Sequence, residues 1–129
     1  MQQRDYFIRI IEEFMAAVAR FLSKPEEQRG DDELQDLYRQ YVGDYTLLRN
    51  MSVEETFVYA REQWVEDRRV EKLEMLAELL YAEATYKQQP LRAMLLEKAL
   101  RLYDYVDAHS AIYSLIRQQR MAEIRAVIR

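Results

Sequence analysis

The chain has 129 residues, half of them hydrophobic and a third charged, with a formal net charge of −4. This size and balance describe one folded domain, residues 1–129, rather than a disordered segment. The lack of cysteine excludes disulfides, thiolate metal sites and a cysteine nucleophile, and fits a reducing compartment. The acidic excess is local: residues 25–68 hold five basic and twelve acidic side chains, a net of −7, against +1 before them and +2 after. Without a concentrated basic stripe to neutralise phosphates, nucleic acid is not an expected partner. Gly30, Gly43, Pro25 and Pro90 are the only glycines and prolines, too little turn chemistry for sheet hairpins. The fold class is therefore all-α.

A first helix is marked by Phe7, Ile10, Ile11, Phe14, Val18, Phe21 and Leu22 at three- and four-residue intervals. Arg9, Glu12, Glu13 and Arg20 interrupt it too often for a secretory signal or a membrane span of about 20 apolar residues. A soluble, cytoplasmic protein is expected. The polar face mixes signs, which argues against a membrane surface, so the stripe is expected to dock on its own domain. Pro25 disfavours helix at the residue before it and ends this element.

A second helix begins near Asp31 or Asp32, with Leu34, Leu37, Tyr38, Tyr41 and Val42 apolar and Gly43 as terminator. Residues 44–51 carry no clear pattern. Ser52-Val53-Glu54-Glu55 then matches a capping box, opening a third helix that runs to about Trp64. A fourth starts around Asp67, with Leu73, Leu76, Leu80 and Tyr81 on a stripe that Met75 and Leu79 widen toward two neighbours. Pro90 is expected at the first position of a fifth helix carrying Leu91, Leu95, Ala99, Leu102, Tyr103 and Val106. The short break between these two long helices predicts an antiparallel αα-hairpin as the organising unit. A last helix follows Ser110 or Ser114, with Leu115, Met121, Ile124 and Ile128 inward and Arg117, Arg120, Arg125 and Arg129 on the polar side.

The run Leu95-Leu96-Glu97-Lys98-Ala99-Leu100-Arg101-Leu102-Tyr103 resembles the second helix of a tetratricopeptide repeat, with Ala99 as the small residue and Tyr103 as the aromatic four positions on. Leu76-Ala77-Glu78-Leu79-Leu80-Tyr81 is similar to a first repeat helix. The roughly 34-residue period of an array does not recur, so the resemblance extends to one degenerate repeat. Over nearly the whole chain, Gln3-Arg4-Asp5-Tyr6-Phe7-Ile8-Arg9-Ile10-Ile11-Glu12, the central helical pair and Tyr113-Ser114-Leu115-Ile116-Arg117-Gln118-Gln119-Arg120-Met121 look like a bacterial family of small helical proteins of unknown function. The resemblance implies a repeat-like bundle of about six helices with a tetratricopeptide-like centre. It brings no catalytic residues.

Reactive constellations are thin. Asp107-Ala108-His109-Ser110 contains the residue types of a triad, but neighbours at a helix end rarely converge, and the expected role of His109 is to meet exposed carbonyls. Asp31-Asp32-Glu33 lacks the spacing of a calcium loop and reads as a solvated cap. The adjacent pairs Glu12-Glu13 and Glu54-Glu55 diverge by about 100° on a helix and cannot serve as paired acid and base. No catalytic, metal or cofactor residue is therefore assigned. Among the aromatics, Tyr38, Tyr41, Tyr81 and Tyr103 fit core stripes with their hydroxyls at solvent. Tyr45, Tyr59, Tyr86 and Tyr105 fit less well and, with Trp64 near a helix end, are the candidates for contacts with a partner. These observations point to a non-catalytic protein-interaction or adaptor module with an unknown protein partner, and to a homodimer where end surfaces of the stack stay apolar. The alternative is a small-molecule sensor or an enzyme with a pocket between helices, gathering Arg68 or Arg69 with Tyr81.

Overall fold

The computed structural model describes residues 2–128, with side chains from Asp5 onward. Among these residues lie seven α-helices, one 3-10 turn at Glu26–Gln28 and no strand. The helices are α1 (Gln2–Ser23), α2 (Asp31–Tyr41), α3 (Tyr45–Asn50), α4 (Val53–Gln63), α5 (Glu66–Ala84), α6 (Leu91–His109) and α7 (Leu115–Val127). The stripes thus became helices, and the unassigned stretch 44–51 holds a seventh. Asp44 caps it, its carboxylate accepting from the Leu47 amide at 3.1 Å.

The most extensive packing joins α5 and α6. They run antiparallel: Glu78 meets Tyr103, and Arg92 near the start of α6 meets the Thr85 carbonyl just past α5. Ala99 and Tyr103 are fully buried in this seam. Helices α1, α2 and α4 also pack on α5, and α7 lies on α6. The α1 stripe is covered by its own domain, with Phe7, Phe14, Val18 and Phe21 buried. Each such large side chain removed from water is worth about 1.5–3 kcal/mol before entropy is counted. Because α5 is enclosed on several sides, Leu73, Leu76, Leu79 and Leu80 are all buried, and so are Glu78 and Glu83.

Several ends follow from local chemistry. Ser52 and Glu55 form the expected capping box. Gly43 ends α2 at φ +141°, a left-handed backbone that side-chain-bearing residues rarely adopt, and its amide donates to the Tyr38 carbonyl. Other ends differ from expectation. Gly30, not Asp31 or Asp32, is the N-cap of α2, and the acidic side chains fall in its first turn. Pro90 precedes α6 as its N-cap, so the helix starts at Leu91. α5 begins at Glu66, one residue before Asp67.

With so few glycines available to close helices, the chain uses cations. Carbonyls in and just beyond the last turn of each of the first five helices are met by a basic side chain from elsewhere. Arg29 bonds Leu22 and Lys24 at 2.8 and 3.1 Å, and Lys72 bonds Tyr41 at 2.6 Å. Lys98 bonds Leu48 and Met51 at 2.7 Å each. Arg69 bonds Ala60 and Trp64 at 3.0 Å, and Arg92 bonds Lys87 at 2.9 Å. These cations fasten helix ends to other parts of the chain, Lys72 of α5 to the end of α2 and Lys98 of α6 to the end of α3.

Candidate functional site

Two ionic clusters flank α5. On one side Glu83, fully buried, receives a two-pronged contact from Arg49 of α3, Nε to Oε1 at 3.2 Å and Nη2 to Oε2 at 2.7 Å. The Tyr45 hydroxyl donates to the same carboxylate at 2.9 Å, and Lys87 Nζ lies 3.2 Å away. Lys87 also pairs with Asp31, which accepts from Tyr86 at 2.6 Å. Burial opposes ionisation of Asp31, but the hydrogen bonds from Tyr86 and Lys87 win and hold its carboxyl below the ordinary range. Burial and then Glu83 push the Tyr45 phenol well up, and burial with the Asp31 hydrogen bond does the same to Tyr86. The Tyr38 ring stands edge-on to Tyr45 at 4.9 Å, and its buried hydroxyl has no hydrogen-bond partner among the described residues.

On the other side Glu78 accepts from the Tyr103 hydroxyl and faces Arg120 of α7 at 3.2–3.4 Å. The Arg120 guanidinium lies 4.4 Å over the Tyr81 ring, and the Tyr81 hydroxyl donates to Glu123 at 2.7 Å. Burial and that bond push Tyr81 up to about 12. Arg117 is 3 % exposed and reaches Glu74 at 2.9 Å, Asp107 at 3.0 Å and the Ile112 carbonyl at 2.8 Å. Arg117 and Arg120 were expected on the polar side of α7, yet Arg117 is buried and Arg120 half-buried, because matched carboxylates on α5 and α6 receive them. Arg125 is exposed and pairs with Asp104, and Arg129 lies outside the described residues.

Two of the stripe tyrosines differ from expectation: Tyr38 and Tyr103 are wholly buried, hydroxyl included, whereas the Tyr81 hydroxyl bonds Glu123 at an exposed edge. The candidate contact residues Tyr45, Tyr59, Trp64, Tyr86 and Tyr105 are half-buried against the core and do not form one surface. Tyr45 and Tyr86 belong to the Glu83 cluster, Tyr59 meets Trp64 edge-on at 5.6 Å, and Tyr105 lies between Phe57 and His109. The edge of Tyr45 lines a shallow depression of about 470 Å³ with Gln35, Arg39 and Asp44.

His109, Asp107 and Ser110 go separate ways. His109 Nδ1 lies 2.8 Å from the Tyr105 carbonyl, Asp107 accepts from Arg117 and Gln118, and Ser110 Oγ donates to the Ile112 carbonyl. Arg68 lies over the Phe7 ring and Arg69 fastens the end of α4, so neither joins Tyr81. Among the described residues no group of three His, Cys, Asp or Glu is placed to hold a metal ion, and no helix is long and apolar enough to cross a membrane.

Two surface features remain. A groove of about 260 Å³ between the C-terminal part of α5, the start of α6 and α7 has Leu96 and Ile124 among its walls and Tyr81, Arg92 and Glu123 among its polar groups. The second is the turn into α7 and the outer side of that helix. Ile112, Tyr113, Leu115, Ile116 and Val127 are 41–72 % exposed there. Leu115 was expected inward. It lies six residues before buried Met121, which at about 100° per residue sets it roughly 120° round the helix from that face. No family model matches this chain, and neither a curated protein nor a solved structure does.

Proposed function

We propose that this protein is a non-catalytic protein-interaction or adaptor module, with the turn into α7 and the outer side of α7 as its contact surface. The observation that carries this reading is the run Ile112, Tyr113, Leu115 and Ile116, four large apolar side chains left exposed in one short stretch whose adjoining charge, Arg117, is already paired with Asp107. Exposed apolar patches of this kind mark interaction sites. The tetratricopeptide-like character of the α5–α6 pair, membership of the bacterial helical family and a cytoplasmic location belong to the same proposal. The test is capture from extract of the native cell, comparing the native chain with Tyr113→Asp. A protein recovered by the first and lost from the second supports the module. Identical recovery by both removes the surface from consideration.

A second reading rests on the groove beside Tyr81, whose apolar walls and charged rim suit a small-molecule sensor. A thermal-shift screen against metabolites and metals separates the two, since a ligand that binds only the folded state raises the melting temperature. A large shift, abolished by Leu96→Trp, would favour the sensor.

A further inference from the structure

We propose that the groove between α5, α6 and α7 binds a small apolar molecule bearing a single carboxylate. This inference rests on the sensor reading above and names its ligand class. Arg92 carries it. This arginine lines the groove half-buried, and no carboxylate among the described residues pairs with it. Arg117 and Arg120, by contrast, are met by acids of α5 and α6. Arg92 Nε and Nη2 donate to the Lys87 and Thr85 carbonyls at 2.9 and 3.3 Å, which fixes the plane of the guanidinium. Three of its five N–H groups remain unused among the described residues. A guanidinium held by other bonds presents its remaining N–H groups in the planar fork that matches a carboxylate. Gln89 adds a donor at the same end: its side-chain oxygen accepts from the Ala93 amide at 3.0 Å, which leaves its NH2 group for a ligand. Both residues stand where α6 begins, and the helix dipole favours an anion there.

The rest of the groove sets the body of the ligand. Ala84, Leu96, Ile124 and Val127 supply apolar walls, and Val127 is 67 % exposed. The other end refuses a second anion. Glu123 lines it, accepting from the Tyr81 hydroxyl at 2.7 Å and paired with no cation among the described residues. Tyr81 and Thr85, which touch Glu123 and Arg92 respectively, are one turn or about 6 Å apart along α5. The ligand therefore places one negative charge at Arg92 and an uncharged body toward Tyr81. A phosphate monoester, with a charge of about −1.5 to −2, meets more repulsion from Glu123 than a carboxylate does. At about 260 Å³ the groove lies just below the range of drug-sized sites. A ligand of about ten non-hydrogen atoms fits such a space, and octanoate has that size and chemistry. So small a molecule is expected to bind with a dissociation constant on the order of 0.1–1 mM.

The test is amide NMR on the isotope-labelled chain, titrated in turn with octanoate, octanol and octanedioate. Octanoate is expected to shift the amides of Thr85, Leu96 and Ile124. Octanol lacks the charge and octanedioate brings a second one to Glu123, so each is expected to bind at least about tenfold more weakly. Arg92→Gln should weaken octanoate by a similar factor with an unchanged circular dichroism spectrum. Glu123→Gln keeps an acceptor for Tyr81 and is expected to admit octanedioate. The proposal is overturned by a native chain that ignores octanoate, that takes octanol or octanedioate equally well, or whose shifts fall outside the groove. Octanoate binding untouched by Arg92→Gln, or octanedioate still refused by Glu123→Gln, overturns it too. The three-ligand comparison uses the native chain alone, so it decides the matter even where Arg92→Gln does not fold. Failure here leaves the sensor reading standing if another compound raises the melting temperature and loses that effect in Leu96→Trp. With no such compound, both fall.

Discussion

Helices α5 and α7 both carry charged residues that end up out of water, and they manage it in opposite ways. α5 is enclosed, and its Glu78 and Glu83 survive burial only because α3, α6 and α7 bring donors to them. α7 lies at the edge and turns Arg117 and Arg120 inward to meet those acids, which leaves Leu115, Ile116, Ala122 and Ala126 facing out. The usual arrangement of oil inside and charge outside is partly inverted across this pair. An ion is tolerated in the interior when its hydrogen bonds are complete, and the helix that supplies the counter-ion presents an uncharged surface as a result.

The inside half of this comparison breaks most sharply at Glu83. Glu83→Ala strands Arg49 without its anion and leaves Lys87 with Asp31 alone, and a loss of about 3–5 kcal/mol is expected in urea denaturation. A loss under about 1 kcal/mol would mean the cluster rearranges freely. Next is Lys98, whose ammonium supplies the Leu48 and Met51 carbonyls. Lys98→Met leaves those acceptors without their donor, at a cost of about 1–3 kcal/mol. The variant also tests a pH signature. Burial, then Arg49, pushes Lys98 down to about 8 from 10.5, against the pull of Glu55. Between those values the unfolded chain binds more protons than the folded one, so this group's contribution to stability rises with pH. The gap between native and variant stability should widen from pH 8 toward pH 10. A gap that narrows would show that the carbonyls hold the proton on.

Smaller effects sharpen the same contrast. Tyr38→Phe removes a buried hydroxyl that has no partner, so it is expected to be neutral or to stabilise by up to about 1 kcal/mol in thermal melts. A clear loss would mean the hydroxyl is bonded in solution. Least of all should the outer side of α7 matter to the fold: Ala122→Glu is expected to shift stability by no more than about 0.5 kcal/mol in the same melts. Measured together, these variants separate charges that hold the fold from a surface that does not.

Much of the helical frame was legible because its signals are local. The three-and-four spacing of Phe7, Phe14 and Phe21, the Ser52–Glu55 box and the breaking residues Gly43 and Pro25 each act over a turn or less. α3 was missed because six residues are too few to show a period. The candidate surface was not legible: Leu115 reads as core because it is apolar, and no local pattern marks Ile112 or Tyr113 as exposed.

By itself, then, the sequence determined that the chain is helical, where most helices begin and end, and which apolar stripes must be covered. Tertiary structure alone decided which ions are interior. Arg49 and Glu83 are 34 positions apart, and Arg120 and Glu78 are 42. No local pattern records a pairing over such a distance, because it depends on which helices α5 gathers around itself. The same packing left one helix at the edge with its charges already used.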